Sequence, residues 1–184
     1  MNAASSPLDQ PSRADSGFSV ADSLLLKNIK SLFLISPVFS VDPEKLFFLD
    51  SPTDFYNFFL ASIGNATQRI SIASLYIGNG SKEHCLVQAI EKRLSVAKEI
   101  GNSSFKVNIL LDGLRSTRSN PSPSSVSMFS SLCVSFPQNF KMKNFTTPSY
   151  TGIKRYLLGE RWNEALGLQH MKIYLVDKTL IISG

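Results

Sequence analysis

The sequence predicts an α/β fold, a sandwich of helices on a mixed β-sheet. Three observations predict it. Apolar residues alternate with period two in short runs at 69–77, 106–111, 140–146 and 171–182, as strands with two faces require. Longer segments at 51–63 and 82–100 repeat apolar residues at three- and four-residue intervals, as helices with one apolar stripe do. Strand and helix patterns then alternate along the chain, which is the arrangement of an α/β architecture. At 184 residues with 43% hydrophobic content, the chain suits one domain with a real core.

The elements follow in order. Residues 1–20, MNAASSPLDQPSRADSGFSV, are rich in Ser, Pro, Ala and Asp and are expected to be a disordered tail; residues 21–184 form the domain. Leu24, Leu25, Ile29, Leu32 and Phe33 fall at helical spacing, Asp22 supplies a cap, and Pro37 lies beyond the end. Ser51-Pro52-Thr53-Asp54 opens a second helix, with Pro favoured in its first turn. It carries Phe55, Phe58, Phe59 and Ile63 on one side, a stripe expected in the core rather than against lipid.

A strand at Arg69–Ile77 places Ile70, Ile72 and Ser74 on one face and Ser71, Ala73 and Leu75 on the other. Gly78-Asn79-Gly80-Ser81 leads into a helix over Lys82–Ile100, with Leu86, Ile90, Leu94 and Ala97 in register. A strand, a Gly-rich loop and a helix can cradle a phosphate at the helix N-terminus. The same loop also reads as a plain tight turn, because it lacks the P-loop spacing. His84, in the helix's first turn, has no lysine two residues on and is expected at the surface. Lys106–Leu111 is the next strand, followed by Asp112-Gly113 and a Ser/Pro-rich loop bearing Arg115 and Arg118. These two arginines suit either phosphate or solvent. A short helix at Ser125–Cys133, a strand at Phe140–Thr146 and a helix at Gly152–Leu158 complete the pattern before the last segment.

Composition excludes several classes. No run approaches about 18 consecutive apolar residues, so no transmembrane helix is expected. Cys85 and Cys133 stand far apart with no partner pattern and read as reduced thiols; no structural metal is expected. Residues 1–50 hold four Lys/Arg against six Asp/Glu, while residues 51–184 hold fifteen against eight. The basic part fits an anionic partner: a nucleotide-linked lipid, glycerol phosphate, a membrane surface or nucleic acid.

The last fifteen residues, HMKIYLVDKTLIISG, carry the chemistry. His170, Lys172, Asp177 and Gly184 make the pattern H-x-K-x4-D-x6-G. Alternation predicts a strand with His170, Lys172 and Tyr174 on one face and Met171, Ile173 and Leu175 packed in the core on the other. His170 and Lys172 then lie roughly 6–7 Å apart on that face. Thr179–Ile182 returns as the second strand of a hairpin. A neutral imidazole is a nucleophile able to form a covalent intermediate at phosphorus. A neighbouring ammonium stabilises the charge that develops on the non-bridging oxygens. The set needs no metal. Asp177 either orients a histidine or fixes the turn.

GERWNEALGLQHMKIYLVDKTLIISG (159–184) resembles the first catalytic motif of the eukaryotic phosphatidylglycerophosphate synthases, a family of the phospholipase D superfamily. RISIASLYIGNG (69–80) and FKVNILLDGLRSTR (105–118) resemble that family's first strand with its glycine loop and its next strand with an arginine-bearing loop. The similarity runs from about Ser36 to Gly184. The resemblance implies a phospholipase D-like α/β sandwich of two similar halves, each with one motif at a shared cleft.

It also implies transfer of a phosphatidyl group from CDP-diacylglycerol to glycerol 3-phosphate, with CMP leaving, through His170, Lys172 and Asp177 and without a cofactor; one motif supplies the nucleophile and the other the general acid, and either role is open to His170. Nucleotide or phosphate contacts are then expected at Ser74, Gly78, Asn79, Gly80, Ser81, Arg115 and Arg118. Family members act in mitochondria, so a peripheral place on the inner membrane is expected and nucleic acid is not. The N-terminal tail, with Arg13 as its one basic residue, makes a poor transit peptide. The chain has one motif where the superfamily uses two. It therefore reads as an N-terminal half that is inactive alone and is completed by a C-terminal half or a second chain. Two other readings remain: a phospholipase D-type hydrolase or nuclease whose site is shared between two chains, and a non-catalytic truncated product.

Overall fold

The computed structural model describes residues 27–37, 39–118, 123–148 and 167–184. The expected tail at 1–20, the start of the first expected helix, the helix at 152–158 and the lead-in at 161–166 lie outside these residues. The chain divides into two compact units, Met1–Phe48 and Leu49–Gly184. In the first, residues 27–32 are helical. A 3₁₀ turn at Pro43–Lys45 is capped by Asp42, whose carboxylate accepts the Glu44 N–H at 3.1 Å.

The second unit carries the α/β fold. Its elements run α1 (Pro52–Asn65), β1 (Arg69–Ser74), α2 (Ser81–Glu99), β2 (Lys106–Asp112), α3 (Ser125–Ser135), β3 (Phe140–Phe145), β4 (Ile173–Val176) and β5 (Thr179–Ile182). The sheet order is β3-β2-β1-β4-β5. β1 pairs parallel with β2, and β2 with β3, because α2 and α3 are the crossovers that parallel neighbours require. β4 runs antiparallel to β1, and β5 antiparallel to β4. The mixed sheet expected from the sequence is the one observed.

Local signals set the helix ends. The Ser51 hydroxyl accepts the Asp54 N–H at 3.1 Å and donates to the Asp54 carboxylate at 2.6 Å, with Pro52 in the first turn. α2 ends in a Schellman motif: Gly101 has φ +66°, Asn102 N–H reaches Ala97 O at 2.7 Å, and Gly101 N–H reaches Lys98 O at 3.1 Å. Glycine, with no Cβ, adopts that φ at no steric cost.

One apolar layer joins the helices to one face of the sheet. Ile70, Ile72, Val107, Ile109, Leu111, Val176 and Ile181 meet Phe59 and Ile63 of α1, Ile90 and Leu94 of α2, and Phe129 and Leu132 of α3. Of the phenylalanines in α1, Phe59 is buried, Phe55 is half-buried and packs against the core, and Phe58 sits at the rim. Phe55 packs edge-on and Phe59 at a tilt against Tyr174, with ring centroids 5.4 and 4.7 Å away.

The register corrects the expected facing of β4. Val176 pairs with Ile70, and Tyr174 with Ile72, so Tyr174 and Val176 are on the helix-covered face. Ile173 and Leu175, expected in the core, pair with Ala73 and Ser71 on the opposite face and are half-buried there; Met171 is 52% exposed. Both parities of β4 are apolar, so alternation fixed the period but not which face meets the helices. The strands are also shorter than expected: β1 stops at Ser74 and β4 begins at Ile173.

Candidate active site

The topology gathers the candidate residues at one edge of the sheet. β1 and β2 are parallel, so the segments after Ser74 and after Asp112 leave at the same edge. β4 is antiparallel to β1, with Ala73 opposite Ile173, so the residues just before β4 return to that edge. The Gly78–Ser81 loop, the Arg115–Arg118 loop and the His170–Lys172 segment thus meet by strand direction. A crevice beyond the carboxyl ends of parallel strands is where open α/β sheets hold ligands.

His170 is exposed and Lys172 half-buried. Lys172 O accepts the Ser183 N–H at 3.2 Å, which extends the β4–β5 ladder by one residue and fixes the backbone beside His170. Gln169 is buried, and its N–H donates to Asp112 Oδ2 at 3.0 Å. The side-chain amide of Gln169 is buried as well, and neither its oxygen nor its nitrogen has a partner among the described residues.

Asp177 lies at the other end of β4. It forms the two-residue hairpin turn with Lys178 and has φ +51°. Its carboxylate accepts Thr67 N–H at 2.8 Å, Thr67 Oγ1–H at 3.0 Å, Gln68 N–H at 2.8 Å and Arg69 N–H at 2.9 Å. Burial pushes its pKa up. The N–H groups of Arg69, Thr67 and Gln68 and the Thr67 hydroxyl outweigh that and hold it below the ordinary carboxylate value. The structure therefore places Asp177 at the end of β4 away from His170 and Lys172. Of the two roles open for this carboxylate, its contacts are those of fixing the turn.

The expected phosphate residues divide. A cavity of about 210 Å³ is lined by Tyr76, Ile77, Gly78, Asn79, Arg115, Arg118 and Pro123–Ser125. It brings Gly78, Asn79, Arg115 and Arg118 together. The Arg115 guanidinium lies 5.7 Å from the centre of the Tyr76 ring, a cation–π arrangement. Asn79 Nδ2 donates to Pro123 O at 3.3 Å, and Ser125 Oγ bonds both the carbonyl and the N–H of Ile77. Two guanidiniums with backbone and hydroxyl donors nearby suit a phosphate or diphosphate.

Ser74 is instead buried beneath the loop, with its hydroxyl donating to Tyr76 O at 3.1 Å. Gly80 and Ser81 lie outside the cavity lining. A Cβ on Gly78 or Gly80 would stand 2.9 or 2.8 Å from a Glu83 carboxylate oxygen. Glu83 thus folds back over the start of α2, and its negative charge disfavours an anion there. This favours the tight-turn reading of the Gly-Asn-Gly-Ser loop at that helix end. His84 is exposed, as expected.

Sequence reasoning missed two residues. Asp112 was read only as the end of a strand, yet it is 2% exposed and bonded to both the arginine loop and Gln169. The signal was an acid closing the apolar run Val-Asn-Ile-Leu-Leu-Asp just before a glycine. Tyr76, beside Arg115, carried no signal beyond its place in the strand pattern. Among the described residues, no three potential metal ligands cluster.

No family model matches the chain. Among curated proteins it is 36% identical over 177 residues to the CDP-diacylglycerol–glycerol-3-phosphate 3-phosphatidyltransferase of Saccharomyces pastorianus, covering 95% of this chain and 31% of that protein. It is 40% identical over 149 residues to the Saccharomyces cerevisiae protein of the same name, covering 79% of this chain and 27% of that one. The human protein of that name, designated mitochondrial, is 38% identical over 149 residues, covering 80% of this chain and 26% of its own length.

The chain thus spans between about a quarter and a third of the length of these relatives. Among solved structures, the phosphatidylserine synthase of Haemophilus influenzae Rd KW20 superposes with a TM-score of 0.60 at 21% identity. It covers 84% of this chain and 31% of that one, a likeness of fold. With 36–40% identity to these relatives over most of its own length, the chain belongs to the CDP-diacylglycerol–glycerol-3-phosphate 3-phosphatidyltransferase family.

Proposed function

We propose that this chain carries the His170–Lys172 part of a site that transfers a phosphatidyl group from CDP-diacylglycerol to glycerol 3-phosphate. The observation that carries the reading is the shared sheet edge. An exposed imidazole follows an anchored residue there, at the same edge as a cavity lined by two arginines. In this reading the His170 imidazole attacks the phosphatidyl phosphorus, the bond to the CMP phosphate breaks, and CMP departs. The primary hydroxyl of glycerol 3-phosphate then attacks the phosphohistidine and regenerates the imidazole. Lys172 stabilises charge on the non-bridging oxygens. Arg115, Arg118, Gly78 and Asn79 hold the leaving phosphate, and Asp177 positions the hairpin rather than touching substrate.

The relatives' names support transfer over hydrolysis. The human, mouse and chicken relatives are designated mitochondrial, which supports a place in the mitochondrion, and we propose the inner membrane surface there. No helix among the described residues is long and apolar enough to cross a membrane. A second histidine motif, from a further segment or another chain, supplies the general acid.

The test is incubation with CDP-diacylglycerol labelled in the phosphatidyl phosphate. With the second motif supplied, the expected result is CMP release with label on His170, and passage of that label to glycerol 3-phosphate when that acceptor is added. His170→Ala is expected to abolish labelling, and Lys172→Ala to slow it by about 10²–10³-fold. Undiminished labelling or transfer in His170→Ala overturns the assignment. Label appearing in phosphatidic acid, with none passed to glycerol phosphate, favours the hydrolase.

A further inference from the structure

We propose that Asp112 is a positioning residue that locks the segment bearing His170 to the arginine loop, so that histidine and phosphate cavity keep one geometry. The proposal deepens the reading of His170 as the nucleophile and rests on it. Asp112 closes β2, and its two oxygens serve different segments. Oδ1 accepts the N–H groups of Leu114 at 3.0 Å and Arg115 at 2.9 Å. Oδ2 accepts the N–H of Gln169 at 3.0 Å, across 57 residues of chain. The backbone of Asp112 is itself held: its N–H reaches Leu75 O at 3.1 Å, and its carbonyl accepts Ser116 N–H at 3.0 Å. One buried residue therefore joins the ends of β1 and β2 through its backbone, and the first turn of the arginine loop and the residue before His170 through its carboxylate.

A carboxylate is the group this join requires. It has two acceptor oxygens and no donor, so it can receive three N–H groups from two directions. Asparagine offers one acceptor and turns an NH₂ toward the remaining N–H. Among the described residues no cation pairs with Asp112; the one ion pair there is Lys45–Asp42. The desolvation of a buried acid is thus met by backbone donors alone, and what the bonds secure is the relative placement of two loops. Gly113 supports the same corner. Its N–H reaches Phe145 O at 2.7 Å, and a Cβ there would stand 2.8 Å from that oxygen. His170 begins one Cα step, about 3.8 Å, beyond the anchored residue. A nucleophile displaced by about 1 Å loses on the order of 10²-fold in rate, so such an anchor matters to catalysis.

The test uses Asp112→Asn in the 184-residue chain, followed by NMR. Asn keeps one oxygen for Leu114 and Arg115 and loses the acceptor for Gln169. The Gln169 amide is expected to exchange about 10–100-fold faster, as loss of a hydrogen bond to a charged acceptor implies, while the Leu114 and Arg115 amides stay within about twofold. The His170 ring resonances are expected to shift and broaden. Asn139→Ala is the control: Asn139 Nδ2 donates to Asn102 O and Phe105 O at the opposite end of β2, so its loss destabilises without reaching His170. His170 resonances that move equally in Asn139→Ala, or that stay fixed in Asp112→Asn, overturn the proposal. If Asp112→Asn does not fold, the wild-type chain decides. A through-hydrogen-bond coupling between Gln169 ¹⁵N and the Asp112 carboxyl ¹³C is expected, and an unprotected Gln169 amide without that coupling overturns the proposal. None of these measurements needs turnover, so they fail or succeed separately from the labelling of His170.

Discussion

The carboxylate of Asp177 accepts four hydrogen bonds from Thr67, Gln68 and Arg69, and its backbone takes a positive φ that asparagine also tolerates. Asp177→Asn should therefore keep the turn and lose part of the donor set, at a cost of about 1–3 kcal/mol in urea unfolding. Asp177→Ala loses both and should cost more. The acid dependence has a definite sign. A carboxylate held below its ordinary value of 3.8 contributes stability that is complete above that pH and is lost as pH falls through the folded value. The acid limb below about pH 4 should be flatter in Asp177→Asn than in wild type; identical limbs would show that other groups carry it. Gln169 predicts the opposite kind of change. Its buried amide has no partner among the described residues, so Gln169→Met should leave thermal stability unchanged or raise it by about 1–2 kcal/mol. A clear loss of stability would sink that account.

Among the elements, α1 shows how pattern becomes packing. Phe55, Phe58 and Phe59 share a helix stripe in the sequence, but only Phe59 is fully enclosed, against Tyr174 of β4. Phe59→Ala should cost about 3–5 kcal/mol, as emptied aromatic sites do, and Phe58→Ala under about 1 kcal/mol. Equal losses would mean that α1 docks differently. The stripe was legible because helical periodicity is local. The choice among its phenylalanines was not, because it depends on where β4 lies beneath the helix. β4 makes the same point. Its four-residue length places Asp177 roughly 16 Å from Lys172 by strand rise alone, beyond contact with the histidine segment. Which carboxylate instead serves the histidine segment was hidden. Asp112 and Gln169 are 57 residues apart, and their bond exists only once β2 and β4 flank β1 in opposite directions.

Among the described residues of the Leu49–Gly184 unit, the helices cover one face of the sheet. On the other face Leu110, Ala73, Ile173 and Ile182 fall in one row, with Leu175 and Leu180 beside it. Leu180 is 57% and Ile182 70% exposed, and an apolar cavity of about 390 Å³ lies over this face between Lys143 and Leu175. Sheets with parallel strands are ordinarily covered on both faces, so this strip should drive self-association of the chain when it is produced alone. Leu180→Thr combined with Ile182→Thr should lower the associated fraction in sedimentation velocity without unfolding the chain, because the core residue between them, Ile181, is untouched. Unchanged association would place the contact elsewhere.

The sequence by itself determined the α/β class and, among the described residues, the order of the elements from α1 to β5, because each rests on spacing within one short segment. Family resemblance was likewise local, carried by three contiguous stretches. Tertiary structure decided which face of β4 meets the helices, which arginines share a cavity with Gly78 and Asn79, and which carboxylate holds each end of that strand. These depend on strand direction and register between segments far apart in the chain. Alternation along one strand carries no information about either.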